Sequence, residues 1–173
     1  MPIIETLPAY YKPYVSKVET SNVVESLSEK WKDLEDMFMN MSAENADYSY
    51  AVGKWTPKHI LQHIIDTERI LSQRALRFAR KDMTQLPGFD HEMYTQVVQV
   101  NDRDIKDLWV EFQCVRESTK FLYKSFSEKE LKREGFANGM VLSVENQGFI
   151  IAGHAIHHGE VIKRRYKNVV EKS

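Results

Sequence analysis

The sequence lacks the features that mark secreted, membrane-spanning and strongly charged proteins. It has a single cysteine, Cys114, in 173 residues, which excludes an intrachain disulfide. It contains no uninterrupted apolar run of the length that spans a bilayer. Residues 1–15 lack the basic and apolar regions of a secretory signal. The net charge of −1 creates no overall field that would attract nucleic acid or an acidic membrane. Together these absences predict a cytoplasmic protein.

Several motifs for metals and nucleotides are absent as well. No glutamate stands three residues before a histidine, which is the spacing that ferritin-like di-iron bundles use. There is no His-Glu-x-x-His, no Cys-x-x-Cys and no glycine-rich phosphate loop. The chain does contain six histidines. A mononuclear site with histidine ligands is therefore the kind of metal site that remains.

The pattern of apolar residues predicts an all-α fold. A chain of 173 residues with 42% hydrophobic and 28% charged residues predicts one domain over residues 1–173, with residues 1–20 as an extended lead-in. Four segments each carry one apolar stripe at steps of three and four residues, as amphipathic helices do. They span residues 22–41, 56–78, 101–126 and 144–167. Four such helices predict a four-helix bundle.

Two of the predicted connections are long for a bundle, in which a handful of residues is usual. Residues 82–96, between the second and third helices, contain Pro87-Gly88. Residues 127–143, between the third and fourth helices, contain a short helical piece, SEKELKRE, and Asn138-Gly139, which indicates a small hairpin. Long loops on a compact bundle are often functional, so we expect these two to lie near the site.

Three histidines are predicted to face the interior. His154 and His158 are four residues apart, so they share the apolar face of the fourth helix. His63 lies on the apolar face of the second helix. Three neutral imidazoles with open positions beside them suit a divalent metal ion. The sequence predicts a metal site on these three residues; the alternative is three core histidines that bond to the backbone or to each other.

Two further residues are candidates for proton transfer at this site. His157 lies about 100° round the helix from His158. It is a candidate for proton handling and an alternative to His158 as the ligand. Asp66 follows His63 by three residues and could accept a proton or hydrogen-bond to a ligand imidazole. The alternative for Asp66 is a solvated flank of the helix.

The remaining histidines and two glycines complete the prediction. His59 is expected at the rim of the site because it lies in the first turn of its helix. His91 is expected in solvent, between two acidic residues.

Gly153 and Gly159 each cost about 1 kcal/mol relative to alanine within a helix. They are expected to permit the close approach of a neighbouring helix or to leave space beside the metal.

Four motifs, in order and with fitting spacing, resemble the DinB-like family over nearly the whole chain. This family comprises damage-inducible helical bundles and includes the YfiT-type metal hydrolases. The motifs are Y-x-x-GKWT at residues 50–56, HIIDTERI at 63–70, LPGFDHEMY at 86–94 and IAGHAIHHGEVIKRRY at 151–166.

The resemblance implies a bundle that binds a divalent metal, commonly nickel or zinc, through His63, His154 and His158. It also implies a homodimer that acts on a small molecule, either as a transferase for a low-molecular-weight thiol or as a hydrolase. The metal would lower the pKa of a bound water or thiol to near neutrality. The alternative is a non-catalytic, metal-stabilised interaction or stress-response bundle. DNA binding is suggested by the family's name alone, and the nearly neutral net charge disfavours it.

Overall fold

Three long helices and a fourth that is broken into two pieces form the body of the protein. The computed structural model describes residues 4–5, 7–28 and 31–170. Its elements are α1 (Lys12–Val15), α2 (Val23–Leu27), α3 (Lys32–Met39), α4 (Ala43–Ala46), α5 (Pro57–Ala79), α6 (His91–Val97), α7 (Ile105–Lys124), α8 (Glu128–Leu131), β1 (Glu134–Ala137), β2 (Met140–Ser143) and α9 (Val144–Val170). The pair α2 and α3 packs with α5, α7 and α9 as a four-helix bundle, which confirms the predicted fold class. Within the described ranges, no helix combines the length and apolar character that crossing a membrane requires.

The starts of the long helices follow from local sequence. Thr56 Oγ1 accepts a hydrogen bond from the backbone N–H of His59 at 3.3 Å and so caps α5. Pro57 occupies the first helical position, where no backbone donor is needed. Asp104 caps α7 by accepting from the N–H of Lys106, so this helix begins slightly later than predicted. The bounds of α9 agree closely with the predicted fourth helix.

The first predicted helix is interrupted. Instead of one helix over residues 22–41, α2 ends at Leu27 and α3 begins at Lys32. The Ser28 hydroxyl donates to the carbonyl of Val24 at 2.7 Å, and such a bond four residues back bends or ends a helix. Residues 29 and 30, which also belong to the predicted helix, lie outside the described part of the chain.

The two long connections carry more structure than their length suggests. The predicted short helix and hairpin are confirmed as α8 and as the antiparallel pair β1 and β2. Asn138 and Gly139 form the hairpin turn, with φ of +52° and +75°. The N–H of Asn138 donates to the carbonyl of Leu86 at 3.0 Å, and the N–H of Leu86 donates to Phe136 at the same distance. These bonds fix the connection over residues 82–96 to the hairpin, and this connection contains α6, which was not predicted.

The N-terminal segment, residues 7–18, packs on α9. Four of its side chains are buried, Leu7, Tyr11, Val15 and Val18. The segment forms turns and α1, whereas an extended lead-in was predicted. A Cβ added to Gly153 of α9 would lie 2.2 Å from the carbonyl oxygen of Tyr14. The absence of a side chain at Gly153 therefore lets the backbone of α1 lie directly on α9. This confirms the expectation that Gly153 permits the close approach of a neighbouring helix.

The core has two parts, one at each end of the contact between α5 and α9. One part combines the C-terminal half of α5 with the N-terminal half of α9, and includes Leu71 and Ile151. The other combines the opposite halves, and includes Ile65 and Ile162. The two helices therefore run antiparallel. His154 follows the first part of the core along α9 and precedes Ala155, which belongs to the second.

A buried ion pair links α5 to α7. The carboxylate of Glu68 accepts from Arg116 Nε at 2.9 Å and from Arg116 Nη2 at 2.8 Å. Both side chains are almost completely buried. A two-point contact of this kind sets the rotation of one helix relative to the other, because the planar guanidinium and the carboxylate must remain aligned.

We expect Gly153→Ala to lower the free energy of unfolding by about 1–3 kcal/mol, because the new methyl group overlaps the Tyr14 carbonyl and the backbone must move. Urea denaturation measures the change. Gly159→Ala is the matched control on the same helix, because its new Cβ would meet side chains rather than backbone: the flexible end of Leu34 at 2.7 Å and the edge of the Trp31 ring at 3.4 Å. Equal stability of the two variants would contradict the proposed contact.

Candidate metal centre

Three histidines from two helices converge near the middle of the bundle. The Nε2 atoms of His63 and His154 lie 3.0 Å apart. The ring centroid of His158 lies 4.8 Å from that of His63 and 4.5 Å from that of His154. One nitrogen from each ring can be chosen so that all three lie within 4.8 Å of one another. The structure therefore brings together the three residues that the sequence predicted as ligands.

Burial keeps these imidazoles neutral. Desolvation, with a smaller contribution from the neighbouring histidines, lowers the pKa of His63 to about 4 and that of His158 to about 3. The pKa of His154 is shifted in the same direction, again chiefly by burial. A metal ligand must offer a lone pair, which only the neutral ring has. At neutral pH all three rings are in that form.

The donor set fits a divalent metal ion. Two imidazole nitrogens on one ion lie roughly 3 Å apart, given metal–nitrogen bonds of about 2.0–2.1 Å. The His63–His154 separation is already in this range. Among the residues that the structure describes, this contact is the one hydrogen bond made by the three rings, so His158 has no such partner. Within the described residues none of the three rings bonds to the backbone, whereas the other form of the alternative, core histidines bonded to each other, is met by His63 and His154.

A cavity of about 280 Å³ opens beside the cluster. At one end it is lined by the three histidines together with Trp55, His91 and Glu92. Its walls are Thr67 and Leu71 of α5, Ile150 of α9, and the tyrosines at positions 10 and 14. Its other end is lined by Tyr11, Arg74, Phe89 and Asn138. Both long connections thus contribute to the cavity, as expected from their length.

A second cavity, of about 230 Å³, reaches the same cluster. It shares Trp55, Glu92 and His158 with the first, and is otherwise lined by Tyr50, Gly53, Lys54, Ile60 and Val161. His158 thus lies where the two cavities meet. A molecule in either cavity would have access to this side of the cluster.

Aromatic rings hold the histidines in place. The Trp55 ring lies against His63, with centroids 4.9 Å apart, and the Trp55 carbonyl accepts a hydrogen bond from the Tyr166 hydroxyl. The Tyr14 ring meets His154 edge-on at 5.4 Å. Burial raises the pKa of Tyr14 to about 12, so its hydroxyl keeps its proton at neutral pH.

His91 is partly solvated, as predicted, with a side chain that is 43% exposed, but it also lines the cavity, which the sequence did not predict. Its ring centroid is 5.5 Å from that of His63 and 6.2 Å from that of Trp55. It is the first residue of α6, which Asp90 caps by accepting from the N–H of Met93 at 3.0 Å. The capping aspartate directly before His91 was a sequence signal for a helix start, and it could have placed this histidine on a fixed element.

Asp66 and His157 line neither cavity. Asp66 Oδ1 accepts a hydrogen bond from Gln62 Nε2 at 2.9 Å, and burial raises its pKa. The His157 ring packs against Tyr14 at 5.3 Å, and burial lowers its pKa. The structure therefore does not bring these two candidates for proton transfer into the cavity.

His59 also stays outside both cavities. Its Nδ1 lies 2.8 Å from the hydroxyl of Thr56 in the first turn of α5. This places it at the start of the helix, as the sequence predicted, and gives it a local partner.

Comparisons with known proteins identify relatives of the sequence and of the fold. The sequence model described as the DinB superfamily matches residues 26–162. No curated protein sequence matches the chain significantly. Among solved structures, the chain is similar to YfiT from Bacillus subtilis, described as a probable metal-dependent hydrolase with an unusual four-helix bundle topology. The TM-score is 0.71 at 15% identity, over 98% of this chain and 93% of YfiT. At this identity the similarity shows the fold.

The buried histidines predict a loss of stability in acid. The unfolded chain binds protons on its histidines near pH 6.5, whereas folded His63 does so only near pH 4. Below pH 6.5 the unfolded state therefore binds more protons, and the free energy of unfolding of metal-free protein should fall by up to about 1.4 kcal/mol per pH unit for each such histidine.

Urea denaturation of metal-free protein between pH 7.5 and about 4 measures this dependence. His63→Phe removes one titrating ring and should give a shallower slope. A wild-type stability that does not change over this range would contradict the burial of neutral histidines.

Proposed function

This chain belongs to the DinB superfamily, and we propose that it is a divalent-metal-dependent enzyme acting on a small molecule. The observation that supports this most directly is the cluster of three neutral histidines at the end of a cavity. His63, His154 and His158 would hold the ion. Nickel or zinc would suit a donor set made only of imidazoles.

A bound divalent ion would supply an acidified water or thiol, available as hydroxide or thiolate near neutral pH. The residues of the chain orient the reactants and move protons. His91 is the candidate proton acceptor, because its partly exposed ring faces His63 within the cavity. Its Nε2 lies 3.8 Å from a carboxylate oxygen of Glu92. His91 and Glu92 thus replace Asp66 and His157 in this role.

The two cavities favour group transfer from a low-molecular-weight thiol over hydrolysis. Transfer requires two organic reactants at one ion, whereas hydrolysis requires one reactant and water. The cavities meet at His158, Trp55 and Glu92, so one could hold the thiol and the other the electrophile. Hydrolysis is the second candidate, and the similarity in fold to YfiT is compatible with it.

We expect purified wild-type protein to contain about one equivalent of divalent metal, and the variants His63→Ala, His154→Ala and His158→Ala to contain almost none. Each variant removes one of three ligands. Elemental analysis of untagged protein prepared without chelator measures the content, and circular dichroism checks the helices. His59→Ala is the control, because His59 lies on the same helix as His63 but outside the cavity.

Full metal occupancy in any of the three ligand variants would contradict the assignment of that residue. Absence of metal from the wild type, even after reconstitution, would favour the non-catalytic bundle instead.

We expect the metal-loaded protein to turn over a thiol with an electrophile, and His91→Ala to lower kcat by about 10²-fold with its metal content unchanged. A panel of low-molecular-weight thiols with an aromatic electrophile tests transfer, and a panel of amides and esters tests hydrolysis. His59→Ala should retain the wild-type rate. Turnover in neither panel would contradict the enzymatic proposal, and an unchanged kcat in His91→Ala would contradict the proton-transfer role.

A further inference from the structure

A buried arginine lies at the end of the larger cavity that is remote from the histidines. Arg74 of α5 is only 4% exposed, yet it lines the cavity. Within the described part of the chain it forms no ion pair with a carboxylate. A buried cation without a counter-ion costs free energy, and such groups are normally paired. Arg74 therefore differs from Arg116, which is equally buried but bonded to Glu68.

The contacts of Arg74 leave much of its guanidinium unused. Its Nη2 donates to the carbonyl of Pro87 at 2.7 Å, and its Cζ lies 5.8 Å from the centre of the Phe89 ring. A guanidinium has five N–H donors, so most of them remain after this one bond. Burial lowers the pKa of Arg74, which is the direction expected for a cation with no carboxylate beside it.

Two neutral polar side chains accompany Arg74 at this end of the cavity. Tyr11 is close enough for the arginine to lower its pKa, although burial raises it overall. The side chain of Asn138 also lies near the Tyr11 hydroxyl and lowers its pKa slightly, and all three residues line the cavity. The three residues come from a long helix, the N-terminal segment and the hairpin turn, so they meet only in the folded protein.

We propose that Arg74, Tyr11 and Asn138 bind a carboxylate group of the substrate at the end of the cavity opposite the histidines. The planar guanidinium matches a carboxylate in a two-point contact, and the hydroxyl and amide supply further donors. The substrates of the proposed enzyme would thus be small molecules with a carboxylate group. The proposal rests on the proposed function for the reaction at the histidines. Binding of the anion itself requires no metal.

The separation of the two ends sets the shape of the ligand. His63 and Arg74 are eleven residues apart on α5, which corresponds to an axial rise of about 16 Å. Both side chains line the same cavity, and side chains tilt toward the N-terminus of their helix, so the long arginine side chain reaches back toward the histidines. The substrate is accordingly an elongated small molecule, with its reacting group at the histidines and its carboxylate at Arg74.

A purely structural role for Arg74 is the competing explanation. Its bond to Pro87 helps to hold the connection over residues 82–96, and this alone could account for its presence. The structural role predicts that a neutral replacement weakens folding or loosens this connection. It predicts no preference for an anion over a neutral molecule of the same shape.

The experiment compares 3-phenylpropionate with 3-phenylpropionamide as probes of matched shape, with dissociation constants measured by calorimetry at fixed ionic strength. Wild-type protein should bind the acid at least about tenfold more tightly than the amide, because hydrogen bonds to charged groups are the stronger ones. Arg74→Gln should remove this preference. Arg80→Gln is the matched control, because Arg80 lies on the helix end beyond the cavity and pairs with Glu130.

His154→Ala separates this proposal from the proposed function. If the acid binds at Arg74, its preference over the amide should persist in His154→Ala, whether or not metal is present. A preference that disappears in His154→Ala and survives in Arg74→Gln would place the carboxylate at the histidines and overturn the proposal. Equal binding of the two probes to the wild type, or binding of neither, would overturn it as well. Absence of metal from the wild type would contradict the enzymatic function without affecting this preference.

Asn138→Asp provides a second test should Arg74→Gln fail to fold. Aspartate tolerates the left-handed conformation at this position nearly as well as asparagine, and it places a negative charge beside Arg74. The variant should keep wild-type helicity and metal content but lose the preference for the acid, because its own carboxylate repels the probe. Retention of the preference in this variant would also overturn the proposal.

Discussion

The antiparallel packing of α5 against α9 brings three imidazole rings together, with centroids less than 5 Å apart. The other elements are arranged around this contact. On one side α7 is joined to α5 by the buried Glu68–Arg116 pair, and on the other the N-terminal segment lies on Gly153. If α5 were rotated or shifted by one turn along α9, His63 would leave the cluster. The fold thus constrains the register of two helices, and that register determines the site.

This arrangement has an energetic cost in the absence of a ligand. Three polar rings are withdrawn from water and share one hydrogen bond among the described residues. Groups buried in this way cost free energy unless a partner satisfies them. An ion that binds only the folded state would offset this cost and stabilise the protein by mass action. If these histidines bind the proposed ion, stability and metal binding are coupled through the same three side chains.

The sequence predicted the helical core better than its surroundings. Apolar periodicity specifies which side of a helix faces inward, so α5, α7, α9 and the convergence of three histidines could be predicted. The sequence did not decide whether Asp66 faces the site or the flank of its helix, since a step of three residues rotates it about 60° from His63. In the structure it bonds to Gln62 instead. His91 lies on a short helix within a connection, where periodicity carries no signal. The homodimer and the cytoplasmic location stay predictions.

The N-terminal segment forms a wall of the cavity from residues that the superfamily model does not match. Tyr10, Tyr11 and Tyr14 lie before residue 26, where the match to the superfamily begins, whereas the three histidines lie within the matched region. The segment is attached to α9 chiefly by the close fit at Gly153 and by its own buried side chains. In this chain the three histidines and the tyrosine wall of the cavity thus belong to different parts of the sequence. Under the proposed function, substrate specificity would therefore depend in part on a segment that lies outside the residues matched by the superfamily model.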